Sequence, residues 1–297
     1  MLNQEKIYIR FDSGCLGDVI AWMPYVEEYR KKNNYKIICA NEMKHLFEEE
    51  YKEIKFQIER PYTIPNIVKQ YNIGYYLYDE INRKKDPRLC NLQEVASNIL
   101  GLEHKEIKPK ITIKNKRNNY SKPYVCIATQ STNQAKYWNY PNGWEVIVDY
   151  LKNIGYDVLC IDKNKIHGNS VYLNRIPLNA IDKTGDFDIQ ERITDLYNCE
   201  FFIGLASGLS WLAWALNKKV IMISGFSDPI SEFYTPYRII NRNVCNSCWN
   251  DTNFKFSETN FIWCPRNYDN NKIFECTKSI SPEIVIANIN QLIKNNL

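Results

Sequence analysis

Residues 6–11, KIYIRF, form a short β-rich run. After the turn from Gly14 to Asp18, the segment VIAWMPYVEEYRKK repeats apolar positions at helical spacing, and KIICA at 36–40 reads as the next strand. Strand, helix and strand in this order make a βαβ unit, which requires a parallel sheet covered by helices. The stretch from about 103 to 123, EHKEIKPKITIKNKRNNYSKP, is rich in Asn, Lys and Pro and reads as a crossover between halves. A second series follows: YVCIAT at 124–129, a helix over 141–153 (PNGWEVIVDYLKN) and DVLCID at 157–162. Then come a helix near 187–198, the strand CEFFIGL, the helix SGLSWLAWALNK and the strand KVIMIS. There is no short internal repeat or low-complexity tract. The pattern predicts an α/β protein of two consecutive halves with a cleft between them, an N-terminal domain over 1–118 and a C-terminal domain over 119–297.

Composition narrows the partners. The 297 residues suffice for about two domains, each with its own core. Lys plus Arg number 38 against 34 Asp plus Glu, a net charge of +4, so the concentrated basic field that nucleic acid needs is missing. The N-terminus MLNQEKIYIRFDSG has no apolar stretch of signal-peptide length, and no window of about 18 apolar residues occurs, which predicts a cytoplasmic protein without a membrane span. In that reducing compartment the ten cysteines are expected to be free, catalytic or metal-bound. Seven Trp and 21 Tyr suit either stacking surfaces or aromatic cores.

Three turns carry candidate chemistry. In open α/β sheets ligands gather at the carboxyl ends of strands, where helix N-termini present N–H groups and partial positive charge to anions. The first turn, Asp12 to Asp18, has Gly14 and Gly17 for close backbone approach, and is neither a Walker loop nor a GxGxxG fingerprint. Asp18 at the helix start is a candidate general base; from spacing alone, a carboxylate complementing the helix dipole is the plainer reading. The second, Gly204 to Ser210, puts Ser207, Gly208 and Leu209 at a helix start suited to a diphosphate, with an ordinary Ser N-cap as the alternative. The third runs from Ala128 to Trp138. There Lys136 follows six hydroxyl or amide side chains, Ser131 and Thr132 among them, as an anion-recognition loop would. Trp138 and Trp144 argue against a merely solvated loop.

The cysteines divide. Cys245 and Cys248 form a CxxC knuckle, Cys264 follows after fifteen residues and Cys276 after eleven more, the spacing of a four-thiolate site in a finger over 244–278. By chemistry alone zinc leads and mononuclear iron comes second, and the polar, aromatic segment between the cysteines needs the metal to hold its shape. Cys15, Cys39, Cys90, Cys126, Cys160 and Cys199 are scattered and read as small buried hydrophobes. Trp249 and Trp263 of the finger suit a docking surface or packing against the domain.

From about residue 6 to the C-terminus the sequence resembles glycosyltransferase family nine, the heptosyltransferases of GT-B architecture, and within it the bacterial autotransporter heptosyltransferase branch. The resemblance rests on RFDSGCLGDVIAW, ATQSTNQAKYWN with Gly143-Trp144, IGLASGLSWLAWAL, ISGFSDPISEF, and the finger ending CPRNYDNNKIFECTKSI. It implies two Rossmann-like domains facing a central cleft, the N-terminal one on the acceptor side and the C-terminal one binding the nucleotide sugar. It also implies an inverting, metal-independent transfer of heptose from ADP-heptose to serine hydroxyls of a protein, such as serine-rich repeats or an autotransporter passenger. Asp18 would be the base, Lys136 the contact to the donor phosphates, Ser131 and Thr132 phosphate-binding hydroxyls, and Ser207, Gly208 and Leu209 the pyrophosphate-binding helix start. Cys245, Cys248, Cys264 and Cys276 match the finger that holds iron in this branch, with zinc as the alternative. A transferase acting on a glycan or peptide, or a non-catalytic nucleotide-sugar-binding subunit, are the competing readings.

Two departures stand out. Lipopolysaccharide-core members of the family carry Asp-Thr-Gly and a following His where this chain has Ala206-Ser207-Gly208 and Trp211, which disfavours a lipid-core acceptor. The autotransporter branch has an extra N-terminal domain and a ring-like dodecamer. Seventeen residues precede Asp18 here, so the expectation is a chain lacking that domain, with a homo-oligomer left open.

Overall fold

The computed structural model describes residues 5–33, 35–58, 66–75, 84–257, 259–266 and 272–295. Residues 258 and 267–271 of the sequence-predicted finger lie outside that set. The chain divides into two compact units, one of Met1–Thr112 with Ile230–Phe233, the other of Ile113–Pro229 with Tyr234–Leu297.

In the first unit β1 (Lys6–Phe11), β2 (Lys36–Ala40), β3 (Ile54–Gln57) and β4 (Ile67–Ile73) form a parallel sheet in the order β3-β2-β1-β4. α1 (Leu16–Asn33) is buried without interruption from Gly17 to Val26, so it is a core helix rather than a half-exposed one. Pro24 removes one of its backbone bonds. Tertiary ties on either side of Pro24 hold the helix: the Trp22 indole donates to the Leu92 carbonyl at 3.0 Å and the Tyr25 hydroxyl to the Lys105 carbonyl at 2.5 Å. α2 (Leu92–Leu100) packs against α1 and begins at Asn91, whose side chain accepts from Gln93 N at 2.8 Å. The same Asn91 donates to the carbonyls of Ile230 and Glu232 at 3.0 and 2.8 Å, which explains why that late segment belongs to this unit.

The second unit contains β5 (Tyr124–Ile127), α3 (Gly143–Asn153), β6 (Asp157–Cys160), β7 (Ile166–Asn169), β8 (Tyr172–Arg175), β9 (Ile181–Asp182) and α4 (Ile189–Asn198). They are followed by β10 (Phe202–Leu205), α5 (Gly208–Ala215), β11 (Val220–Ile223), β12 (Arg238–Ile239), α6 (Glu275–Lys278) and α7 (Pro282–Lys294). Its six-stranded parallel sheet runs β12-β11-β10-β5-β6-β9, and β7 and β8 form a separate antiparallel hairpin. Because side chains alternate along a strand, β5 serves two layers. Val125 and Ile127 join the core with Ile147, Leu151, Val285 and Ile289 of α3 and α7. Tyr124 and Cys126 instead reach the carbonyl of Asp195 on α4, at 2.8 and 3.6 Å.

In each unit the chain steps outward on one side of the first strand and returns on the other. The reversal lies between β1 and β4 in the first unit and between β5 and β10 in the second. A crevice opens outside the carboxyl ends of strands at such a point. All three candidate turns begin there: residues 12–18 after β1, 128–138 after β5 and 206–210 after β10.

Five of the six scattered cysteines are buried; Cys15 corrects the expectation, since it lies exposed in the glycine turn. Trp22, Trp138, Trp144, Trp211, Trp214 and Trp263 are all buried, so these tryptophans fill cores rather than a stacking surface. Among the described residues no helix is long and apolar enough to cross a membrane.

Candidate functional site

Asp18 lies in the first turn of α1 and is 8% exposed. Its carboxylate accepts from two hydroxyls: Ser13 donates to Oδ2, and Tyr75, just beyond β4, donates to Oδ1 at 2.7 Å. Ser13 Oγ in turn accepts from Cys15 N at 3.1 Å, which sets its rotamer. Burial, followed by the Asp18 charge, pushes the Tyr75 hydroxyl well above its ordinary value, so it stays protonated and remains a donor. The β1 and β4 loops approach closely enough to demand glycine at position 74, where a Cβ would stand 2.7 Å from that of Asp12. A dipole-complementing carboxylate needs only the helix start; the Ser13 and Tyr75 bonds add a fixed orientation at the crevice.

The polar loop of the second unit is pinned at its base by Asp162, which follows β6. Asp162 Oδ2 accepts from Thr129 N at 2.8 Å and Thr129 Oγ1 at 2.9 Å, and Oδ1 accepts from Gln130 N at 3.1 Å. Burial raises its carboxyl above the usual range, while the bonds from Thr129, Cys160 and Gln130 pull the other way. Replacing Asp162 with alanine leaves buried donors unpaired, and thermal unfolding is expected to show a loss of about 3 kcal/mol. Further along, Asn133 caps the short 3-10 turn 134–136 by accepting from Ala135 N at 2.7 Å, and Gln134 N donates to the Phe261 carbonyl at 2.8 Å. Ser131 and Lys136 are half-buried and Thr132 is exposed. The tryptophans around the loop are its anchors: Trp138 donates to the Ile280 carbonyl at 2.8 Å and meets Trp144 edge-on at 5.2 Å.

Ser207 precedes α5 with an extended backbone, and its side chain makes no cap hydrogen bond, so the ordinary Ser N-cap is not what this residue forms. The structural hydroxyl is Ser210, which is buried and donates to the Leu205 carbonyl at 2.5 Å. Ser207, Gly208 and Leu209 are half-buried at the helix start, whose free N–H groups and dipole suit an anion. β5 and β10 are hydrogen-bonded neighbours, so the Lys136 loop and the α5 start leave the same part of the sheet.

The finger cysteines lie close enough to influence one another. Burial first, and then Cys276, Cys264 and Cys245, raise the Cys248 thiol. Burial and then Cys245 and Cys264 push Cys276 up to about 12, and burial followed by Glu275 raises Cys245. Four thiols are by their chemistry a suitable donor set, since a cation would relieve the cost of ionising them. Among the described residues, however, no three His, Cys, Asp or Glu side chains form a group that could hold a metal ion. The finger's apolar side joins Trp263, Cys264, Ile273 and Phe274 to Phe226 and to Ala135 of the polar loop, with Trp249 half-buried against them.

A model of glycosyltransferase family 9 (heptosyltransferase) matches residues 79–261. The autotransporter heptosyltransferase Aah of Escherichia coli is 43% identical over 294 residues, covering 98% of this chain and 75% of that protein. This chain belongs to glycosyltransferase family 9. It is similar along 99% of its length to the crystal structure of TibC, an iron-containing dodecameric glycosyltransferase of enterotoxigenic Escherichia coli, with 39% identity, a TM-score of 0.93 and 77% of that chain covered. TibC in complex with ADP-D-β-D-heptose gives a TM-score of 0.92 at 39% identity, over 99% of this chain and 78% of that one. A further relative, the inactive autotransporter heptosyltransferase BimC of Burkholderia thailandensis, is 31% identical over 97% of this chain and 69% of that protein. The two parallel α/β sheets are thus the GT-B-like fold of family 9 heptosyltransferases.

Tyr75, Asp162 and Phe226 carry no candidate role in the sequence alone. Only Phe226 lay within a motif, ISGFSDPISEF, and nothing there tied it to Lys136.

Proposed function

We propose that this family 9 glycosyltransferase moves heptose from ADP-heptose to serine hydroxyls of an autotransporter passenger or similar serine-rich protein, with inversion at the anomeric carbon. The observation that carries this reading is the emergence, from neighbouring strands at one reversal point, of a cationic hydroxyl-rich loop and a helix start. ADP gains negative charge as it leaves. The Lys136 ammonium and the α5 N-terminus supply fixed positive potential for that charge, and Ser131, Thr132 and Ser207 offer neutral donors that orient the phosphates. Asp18 takes the proton of the attacking serine as its oxygen bonds to the anomeric carbon and the bond to ADP breaks; Ser13 and Tyr75 keep the carboxylate aimed. Cys245, Cys248, Cys264 and Cys276 hold a structural iron, with zinc as the alternative metal. The clustered thiols and the iron content of TibC support this.

The test is co-expression with a serine-bearing passenger in cells that make ADP-heptose, read by intact mass. The passenger is expected to gain mass in whole heptose increments, localised to serine on fragmentation. An unmodified passenger, together with an unspent donor in a purified assay, would overturn the proposal.

A further inference from the structure

The Lys136 ammonium lies over the ring of Phe226, 5.4 Å from its centroid. Among the described residues no carboxylate pairs with this lysine. Phe226 is 3% exposed, and three finger aromatics lock its ring: Trp249 at 5.9 Å, Phe256 at 5.7 Å and Trp263 at 6.0 Å. Those three are packed on one another as well, Trp249 on Phe256 at 5.3 Å and Phe256 on Trp263 at 5.0 Å. The backbone below the ring is held by the same finger. Ser247 N donates to the Gly225 carbonyl at 2.7 Å and Trp249 N to the Phe226 carbonyl at 3.0 Å. Cys276 lies against Gly225 so tightly that a Cβ there would stand 2.8 Å from the Cys276 Cβ and 2.9 Å from its Sγ.

We infer that Phe226 is a positioning residue for Lys136, and that the cysteine finger acts on donor binding by holding the segment that carries this ring. The inference rests on the reading of Lys136 as the donor-phosphate contact. An aromatic face attracts an ammonium without neutralising it, so the N–H groups stay available to phosphate oxygens; a carboxylate in the same place would compete with them. The lysine stem is long and flexible, and holding its head before the ligand arrives removes part of the ordering cost of binding. The finger therefore contributes to the nucleotide site without touching the nucleotide.

The experiment is a double-mutant cycle on ADP binding to the purified full chain, measured by titration calorimetry, with Phe226→Leu, Lys136→Met and the pair. Phe226→Leu is expected to weaken ADP about three- to tenfold, and Phe226→Tyr, which keeps the aromatic face, to restore most of the loss. In the Lys136→Met background Phe226→Leu is expected to have no further effect, because two residues acting through one contact are non-additive. Gly225→Ala, which displaces Cys276, is expected to behave as Phe226→Leu does, and it carries the test should the leucine variant not fold. Equal losses in both backgrounds would show that the ring is merely structural and would overturn the inference while leaving the donor site intact. If Lys136→Met itself leaves ADP affinity unchanged, the donor-site reading fails, and the inference fails with it.

Discussion

Replacing Asp18 with alanine is expected to lower heptose transfer at least about a hundredfold, the scale on which a positioned general base acts. ADP affinity, measured by calorimetry on the same preparation, should stay near that of the unmodified protein, because the proposed donor contacts, Lys136 and the α5 start, belong to the other unit of the chain. Asp18→Asn sharpens the test. It keeps the size of the side chain, and its oxygen can still accept from one of the two hydroxyls while its NH2 group faces the other, yet it cannot take a proton near neutral pH. If both variants turn over at near-normal rates, Asp18 is only a helix-start carboxylate and the base must be sought elsewhere.

On the proposed metal assignment, replacing Cys248 with serine is expected to release the metal and to lower stability by something on the order of 4 kcal/mol, as loss of a structural metal does. Elemental analysis should fall from one iron or zinc per chain towards none, and the unfolding midpoint should drop with it. The size of the effect follows from what the finger supports. Burial and then the charges of the other three finger cysteines raise the Cys248 thiol, and its neighbour Trp249 packs on Phe226. Natively purified protein without iron or zinc would sink the metal assignment whatever the variant does.

The strands and helices that came straight off the sequence are those with continuous apolar character. KIYIRF and KIICA coincide with β1 and β2, and the reading of two α/β halves follows from them and from YVCIAT and KVIMIS. Several predicted strands run one or two residues too long at their carboxyl ends. At the end of YVCIAT the backbone turns out of the sheet because Thr129 is bonded to Asp162, a partner 33 positions away that no local pattern announces. The hairpin of β7 and β8 was invisible for a different reason: IHGN and YLNR are too short and too polar to alternate. The site divides in the same way. Asp18, Lys136 and Ser207 stand out as candidates because glycines and hydroxyls mark their turns locally. Tyr75, which reaches Asp18 across 57 positions, acquires its role only when β4 is laid beside β1. The two finger tryptophans were open between docking and packing, and their rings on Phe226 decide for packing.

The segment Ile230–Phe233 is held by Asn91 within the unit whose other residues all come before position 113. The first unit is therefore discontinuous in the chain. A ribosome completes the second unit's first strands before it has delivered the last piece of the first unit. A single cut between the halves likewise yields an amino-terminal fragment missing a native element. Dissection of this enzyme into separately expressed parts would succeed only if residues 230–233 were supplied to the first part, by fusion or as a peptide.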